Sequence, residues 1–391
     1  MLAHSPPGPP LPLAIDYFGH DITAKDEEAI ILALAQRDRV RRIRFKIPVL
    51  KLQKLVMAID EEYPILEYLI LVVPPEDKNT VLNLPETLRI PHLRRLTIEC
   101  SIPVRSRLLR TATDLVSLCL ATYHPSTYFQ PTALLQALSL MPQLEMLLIY
   151  FYFPYPNGDV ERQLIRSPIM EHVTLTNLRF FAFQGASAYS ESVLGRITAS
   201  RLQNFQICYH KQLTFPVPQL LQFMGRIENL RFDRAEFYFS SERVYVKVDP
   251  RETNIPLGAF FVNIDCFHLD WQVSSVAQIF NSLGQIFHGV EHLALAHKVH
   301  SRSTAEHNEA DRTEWRKLLG SFSKAKTLRI GNGLVRALSR CLPSQDGEHP
   351  LELLPELQEL RYSGSGNTND VFTSFINARQ HAGRLVTLIK S

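Results

Sequence analysis

The sequence predicts an α/β chain built by repetition, and two observations carry that prediction. A three-anchor phrase, apolar-x-x-apolar-x-apolar, recurs from Val40 to the C-terminus, and segments with apolar residues at helical spacing separate its copies. With 45% hydrophobic residues a single copy would arise by chance, so the weight rests on twelve full copies at intervals averaging about 29 residues. In a strand the second and third anchors face one side, and the first enters from the preceding turn. One such strand cannot bury its apolar face alone. The copies are therefore expected to stack in parallel, a helix returning between each pair.

The clearest copy is Leu93/Leu96/Ile98. Before it stand Val40/Ile43/Phe45 and Leu66/Leu69/Leu71; after it come Leu115/Leu118/Leu120, Leu144/Leu147/Ile149, Leu178/Phe181/Phe183 and Leu202/Phe205/Ile207. The series continues through Ile227/Leu230/Phe232, Ile264/Phe267/Leu269, Val290/Leu293/Leu295, Ala325/Leu328/Ile330 and Leu357/Leu360/Tyr362, and a frayed copy, Leu385/Leu388, closes it. The mean period lies near the upper end of the roughly 20–29 residues of leucine-rich repeats. The expected architecture is thus an α/β leucine-rich-repeat solenoid, an irregular horseshoe with parallel strands on its concave face and helices on its convex face. Residues 1–10, with four prolines, read as a flexible lead, and residues 11–391 as one solenoid of about 12–13 repeats.

The elements follow in order. Leu11 to Tyr17 alternates and predicts a first strand that caps the stack. Thr23 followed by Asp26 predicts a capped helix running on to Ala35. Lys51 to Asp60 puts Leu52, Leu55, Val56 and Ile59 on one helical face, and Pro131 opens a helix with Leu134, Leu135 and Leu138. Further helices are expected over 217–224, 273–287, 313–322 and 370–379. Four long intervals carry polar or proline-bearing excursions over 154–176, 234–263, 298–324 and 332–355; the second alternates enough around Phe237 and Val246 to suggest an extra hairpin.

Composition narrows the function class. Forty-two basic against thirty-nine acidic residues leave a net charge of +3, which gives no reason to expect nucleic acid. Five cysteines without a C-x-x-C pair, the lack of a secretory leader, and no apolar run near the ~20 residues a membrane helix needs point to the cytoplasm or nucleus. No nucleophile elbow, zinc-protease motif or catalytic cysteine motif occurs, so neither a catalytic residue nor a cofactor is expected. His292, His297, His300 and His307, with Glu306 and Glu309, match no compact zinc spacing, so no metal is expected there. Gly364, Ser365 and Gly366 lack a P-loop lysine and read as a turn. Trp271 and Trp315 read as packing residues.

Surface recognition remains. Residues between the anchors face the concave side, and they place Arg41, Arg42 and Arg44 near Arg94, Arg95 and Thr97, with Glu67 and Tyr68 between. Such a patch suits an acidic segment of a protein partner. Past the fifth copy, Tyr150, Tyr152 and Tyr155 offer the amphipathic rings that binding hot spots favour.

The stretches DEEAIILALAQRDRVRRIRF (26–45), MPQLEMLLIY (141–150), LLQFMGRIENLRF (220–232) and LLPELQELRYSGSGN (353–367) resemble fungal F-box/leucine-rich-repeat proteins of mushroom-forming species. The resemblance covers nearly the whole chain. It implies that the repeats recognise substrates and that an F-box ahead of them attaches to the Skp adaptor of a cullin-based ubiquitin ligase. Here Leu11-Pro12 runs into a strand-like IDYF instead of the F-box helices, so a Skp/cullin complex is expected only if an F-box is supplied elsewhere. The alternative is a free-standing regulatory or inhibitor-like binder without a ligase link. The position three past the last anchor, usually Asn or Cys in the family, reads Pro48, Pro74, Ser101, Tyr123 and Tyr152, so the turns must be satisfied differently.

Overall fold

The computed structural model describes residues 11–19, 21–77, 80–103, 106–153, 172–210, 214–215, 217–227, 231–250, 259–297, 311–343, 351–363 and 371–390. It is a mixed α/β protein with a large, mostly parallel sheet. The chain divides into two compact units, residues 1–185 with 192–202, and residues 186–191 with 203–391.

The sheet of the first unit follows the repeated phrase. β1 (Leu13–Phe18), β2 (Val40–Lys46), β3 (Tyr68–Val72), β4 (Arg95–Glu99), β5 (Ser117–Thr122), β6 (Met146–Phe151) and β8 (Phe180–Gly185) pair in parallel, each with the next. Two short strands, β7 (Val173–Thr174) and β9 (Ile197–Thr198), form a separate parallel ladder. Every anchor of the first six copies is at most 2% exposed. At about 1.5–3 kcal/mol per buried aliphatic or phenyl side chain, three anchors contribute roughly 5–9 kcal/mol per copy before chain entropy is subtracted.

The helices that Thr23 and Pro131 open start where the sequence predicts, while the one expected from Lys51 begins two residues earlier. α1 (Ala24–Leu34) opens on a complete capping box: the Asp26 amide donates to Thr23 Oγ1 at 3.1 Å, and the Thr23 amide donates to the Asp26 carboxylate at 3.3 Å. α2 (Val49–Met57) buries Val49, Leu52, Leu55 and Val56. Its own cap residue, Pro48, offers no side-chain acceptor, and Asp77 from the following copy accepts the Val49 amide at 3.0 Å instead. Glu27 on α1, almost fully buried, pairs with Lys51 and Lys54 on α2, which hold its carboxyl below the usual range. α3 (Ser106–Thr111) and α4 (Pro131–Leu138) complete the helices described in this unit, α4 opening on the expected proline. The division between the units runs through α5 (Ser187–Leu194).

In the second unit strand order departs from chain order. β10 (Asn204–Tyr209) pairs in parallel with β13 (Phe260–Asp265), which pairs antiparallel with β12 (Arg243–Asp249). β12 pairs antiparallel with β11 (Arg234–Phe239), and β11 runs parallel to β14 (His292–His297). β15 (Thr327–Ile330), β16 (Glu359–Tyr362) and β17 (Thr387–Lys390) follow in parallel. The expected extra hairpin is β11–β12, and it lies within the sheet. Its inward residues Ala235, Phe237, Phe239, Val244, Val246 and Val248 are at most 1% exposed.

That order explains the longest helix. α6 (Pro218–Gly225) precedes the hairpin, and α7 (Leu269–Ser282) links β13 to β14, three strand positions away, or roughly 14 Å. Its 14 residues extend about 21 Å, enough to cross β12 and β11. Phe280 on α7 packs against Phe237 with ring centroids 5.1 Å apart, and the buried Gln272 amide donates to the Ser240 and Cys266 carbonyls at 2.7 and 2.6 Å. α8 (Gly284–Phe287), α9 (Arg312–Gly320), α10 (Val335–Cys341) and α11 (Thr373–His381) follow. On α11 the buried Arg379 donates to the Leu353 and Pro355 carbonyls at 3.2 and 3.0 Å, bracketing Leu354, whose φ is +52°.

Four expectations are corrected. Ile264/Phe267/Leu269 is not a strand phrase: Ile264 ends β13, Phe267 is 62% exposed, and Leu269 begins α7. The chance match arises because an apolar strand end abuts an apolar helix start. The copy at Ile227 does not coincide with a strand, since β11 begins at Arg234; its middle anchor, Leu230, lies outside the described residues. Leu385 is 77% exposed while Val386 is buried, because β17 begins later, at Thr387. Of the two tryptophans, Trp315 is fully buried against Phe239, but Trp271 sits on the outer side of α7, 42% exposed.

Candidate interaction surface

A backbone clamp positions the candidate residues. At each strand entrance in the first unit, one carbonyl accepts amides from the following copy. Arg41 O takes the Glu67 amide, and Glu67 O takes those of Arg94 and Arg95, all at 2.9 Å. Arg94 O takes those of Val116 and Ser117, Val116 O those of Glu145 and Met146, and Glu145 O those of Arg179 and Phe180. One residue per copy is thereby fixed at the entrance. The resulting row, Arg41, Glu67, Arg94, Val116, Glu145 and Arg179, advances by a strand spacing of about 4.8 Å per step.

Strand register builds the face beside this row. Arg42, Tyr68 and Arg95 are in-register neighbours on the side opposite the anchors, and Arg44 lies one row further along with Asp16 and Ile70. The Arg95 guanidinium lies 6.0 Å from the centre of the Tyr68 ring, and Arg44 lies 4.9 Å from that of Phe18. Arg41, Arg42, Arg44, Tyr68, Arg94 and Arg95 are therefore brought together, as the spacing predicts.

Their charge is distributed less evenly than the sequence suggests. Arg42 forks onto Asp16 (3.1 and 2.5 Å), and Arg41 Nε meets Glu67 Oε1 at 2.9 Å. Two of the five arginines are thus neutralised by the chain itself. Arg44, half-buried beside Phe18, and the exposed Arg94 and Arg95 make no ion pair among the described residues, so the fully exposed part of the uncompensated positive charge lies at the start of β4.

The tyrosines occupy the same sheet two strands away, roughly 10 Å from β4. Tyr150 shares a row with Lys46, Val72, Glu99 and Ala121. Tyr152, 42% exposed, stacks on Tyr123 with centroids 4.5 Å apart and planes within 2°, and Tyr150 is 5.9 Å from Tyr152. This pair stands at the position three past the last anchor. The Tyr123 amide donates to Ser101 Oγ at 3.3 Å and the Tyr152 amide to the Thr122 carbonyl at 2.9 Å, so ring stacking and these bonds hold the turns at these two positions. Burial pushes the Tyr123 hydroxyl pKa up, which keeps it neutral. Tyr155 lies outside the described residues.

The second unit repeats the clamp. Asp233 O accepts the Glu291 and His292 amides at 2.9 and 3.0 Å, Glu291 O those of Lys326 and Thr327, and Lys326 O those of Gln358 and Glu359. Asp233, Glu291 and His292 each place a ligand-type atom within 4.8 Å of the others, a grouping that sequence reading misses because only strand register unites them. Lys326 Nζ meets Glu291 Oε1 at 2.7 Å. Of the histidine series, His292 and His297 bound β14, whereas His300, Glu306, His307 and Glu309 lie outside the described residues, as do Gly364, Ser365 and Gly366.

No described helix is long and apolar enough to cross a membrane. No protein-family model matches the chain. No curated protein matches it either.

Proposed function

We propose that the chain is a non-enzymatic protein-recognition module, a leucine-rich-repeat solenoid of irregular horseshoe form. Its strand face around Arg94, Arg95 and Tyr68 takes an acidic segment of a partner protein. The observation that carries this reading is the pair of exposed arginines that make no ion pair among the described residues, set beside an in-register tyrosine on hydrogen-bonded strands. A rigid, partly aromatic platform loses little conformational entropy on binding, and uncompensated cations speed encounter with an acidic surface. Tyr150 and Tyr152 extend the platform with apolar area. The five cysteines, all free and four of them buried, favour a reducing compartment, cytoplasm or nucleus.

The test compares quantitative capture of partners from source lysate by the wild type and by Arg94→Glu/Arg95→Glu. We expect a partner held by the wild type to be lost by the double variant while thermal unfolding is unchanged. Equal retention by both proteins would refute the assignment. Recovery of a Skp adaptor with a cullin in the wild-type capture identifies a substrate receptor of F-box type; a partner without them identifies a free-standing binder.

A further inference from the structure

We propose that Asp233, Glu291 and His292 form a binding site for a divalent cation with affinity for mixed nitrogen and oxygen donors, zinc being the best match. Asp233 immediately precedes β11, Glu291 immediately precedes β14, and His292 opens β14. Because Asp233 O accepts both the Glu291 and the His292 amides, the three backbones are tied together without any ion. Only side-chain rotation is needed to close the site. His292 Nε2 is 3.7 Å from Asp233 Oδ2, and tetrahedral ligands with bonds of 2.0–2.1 Å stand about 3.3 Å apart.

The histidine is already oriented for the task. Its Nδ1 lies 2.8 Å from Thr327 Oγ1, the kind of second hydrogen bond that fixes the ring of a metal-bound imidazole, and this turns Nε2 toward the carboxylates. With Nδ1–H donating to Thr327, the Nε2 lone pair faces the Asp233 carboxylate, an unfavourable meeting that a cation between them makes favourable. Burial adds to the effect, since the Asp233 and His292 side chains are only 17% and 32% exposed.

Charge counting agrees. Asp233 and Glu291 supply two negative charges, and Lys326 on Glu291 Oε1 offsets one. The remaining negative charge sits where the imidazole points. One imidazole with two carboxylates favours zinc and its first-row neighbours over calcium and magnesium, and three protein ligands leave a fourth position for water. Bound there, the ion would pin β11 to β14, the pair at which the inserted hairpin rejoins the parallel stack.

The experiment is titration of the purified full chain with zinc at pH 7 against a chromophoric chelator, using wild type, His292→Ala, Asp233→Asn, Thr327→Val and Lys326→Met, with circular dichroism of each. We expect the wild type to take up zinc, and His292→Ala and Asp233→Asn each to lose one equivalent. Thr327→Val should bind about tenfold more weakly. Lys326→Met, which removes only the competing cation, should bind more tightly. Because that last variant keeps all three ligands, it tests the site even if a ligand variant misfolds. No uptake by the wild type, uptake equal in all variants, or no tightening in Lys326→Met would overturn the assignment.

Discussion

Glu191→Gln probes an unusual helix cap. α6 begins without a side-chain cap of its own, and the carboxylate of Glu191 on α5 accepts the Gln219 and Leu220 amides at 2.7 and 3.0 Å. Two influences oppose each other there. Burial raises the carboxyl pKa, the two amide donors lower it, and the balance is a rise from 4.5 to about 7. A carboxyl raised on folding contributes stability that is full below pH 4.5 and is lost as pH climbs through about 7. The rise corresponds to roughly 3 kcal/mol. Glutamine keeps one acceptor oxygen and has no charge to titrate. The stability of the wild type relative to Glu191→Gln should therefore fall by roughly 3 kcal/mol between pH 4.5 and pH 7.5. Protection of the Gln219 and Leu220 amides in hydrogen exchange, read across that range, is the assay. A pH-independent difference would refute the reasoning. A wild type that gains on the variant with rising pH would show instead that the amide donors and helix dipole outweigh burial.

Two further substitutions test the packing account. Leu96→Ala removes a fully buried anchor whose in-register neighbours, Leu69 and Leu118, are equally buried, and it should cost about 2–5 kcal/mol in urea denaturation; a loss below about 1 kcal/mol would mean that the anchors are not the core. Arg379→Met keeps the apolar stem but orphans the Leu353 and Pro355 carbonyls, so it should destabilise by roughly 2–4 kcal/mol and speed exchange of the Thr387 amide; unchanged exchange would contradict the role given to this buried guanidinium.

Much of the fold was legible because local rules and burial agree. Val40 through Phe183 repeat one spacing, each anchor is buried, and the Thr23/Asp26 box opens the helix that its residues predict. Partner choice was not legible. Alternation in β11, β12 and β13 says which side chains face inward but not which strands adjoin, so the order β10, β13, β12, β11, β14 could not be read from it. The same alternation is blind to the far end of a strand, and for that reason Ile264 passed for a first anchor.

The surface divides the same way. The five arginines and Tyr68 share a region because their positions in each copy are equivalent. That Asp16 and Glu67 neutralise Arg42 and Arg41 depends on rotamers and on pairing between copies, which a linear pattern does not encode. The stacked Tyr123 and Tyr152 rings likewise become neighbours only through the β5–β6 register.

The measurement that tests the central claim most directly is photo-crosslinking. A benzophenone amino acid placed at Tyr68, on the strand face, is compared with one at Leu50, 79% exposed on α2. Crosslinks to an acidic partner segment from position 68, absent from position 50 and lost with Arg94→Glu/Arg95→Glu, are what recognition through the strand face predicts. Crosslinks from position 50 with none from position 68 would place recognition on the helices and contradict the account.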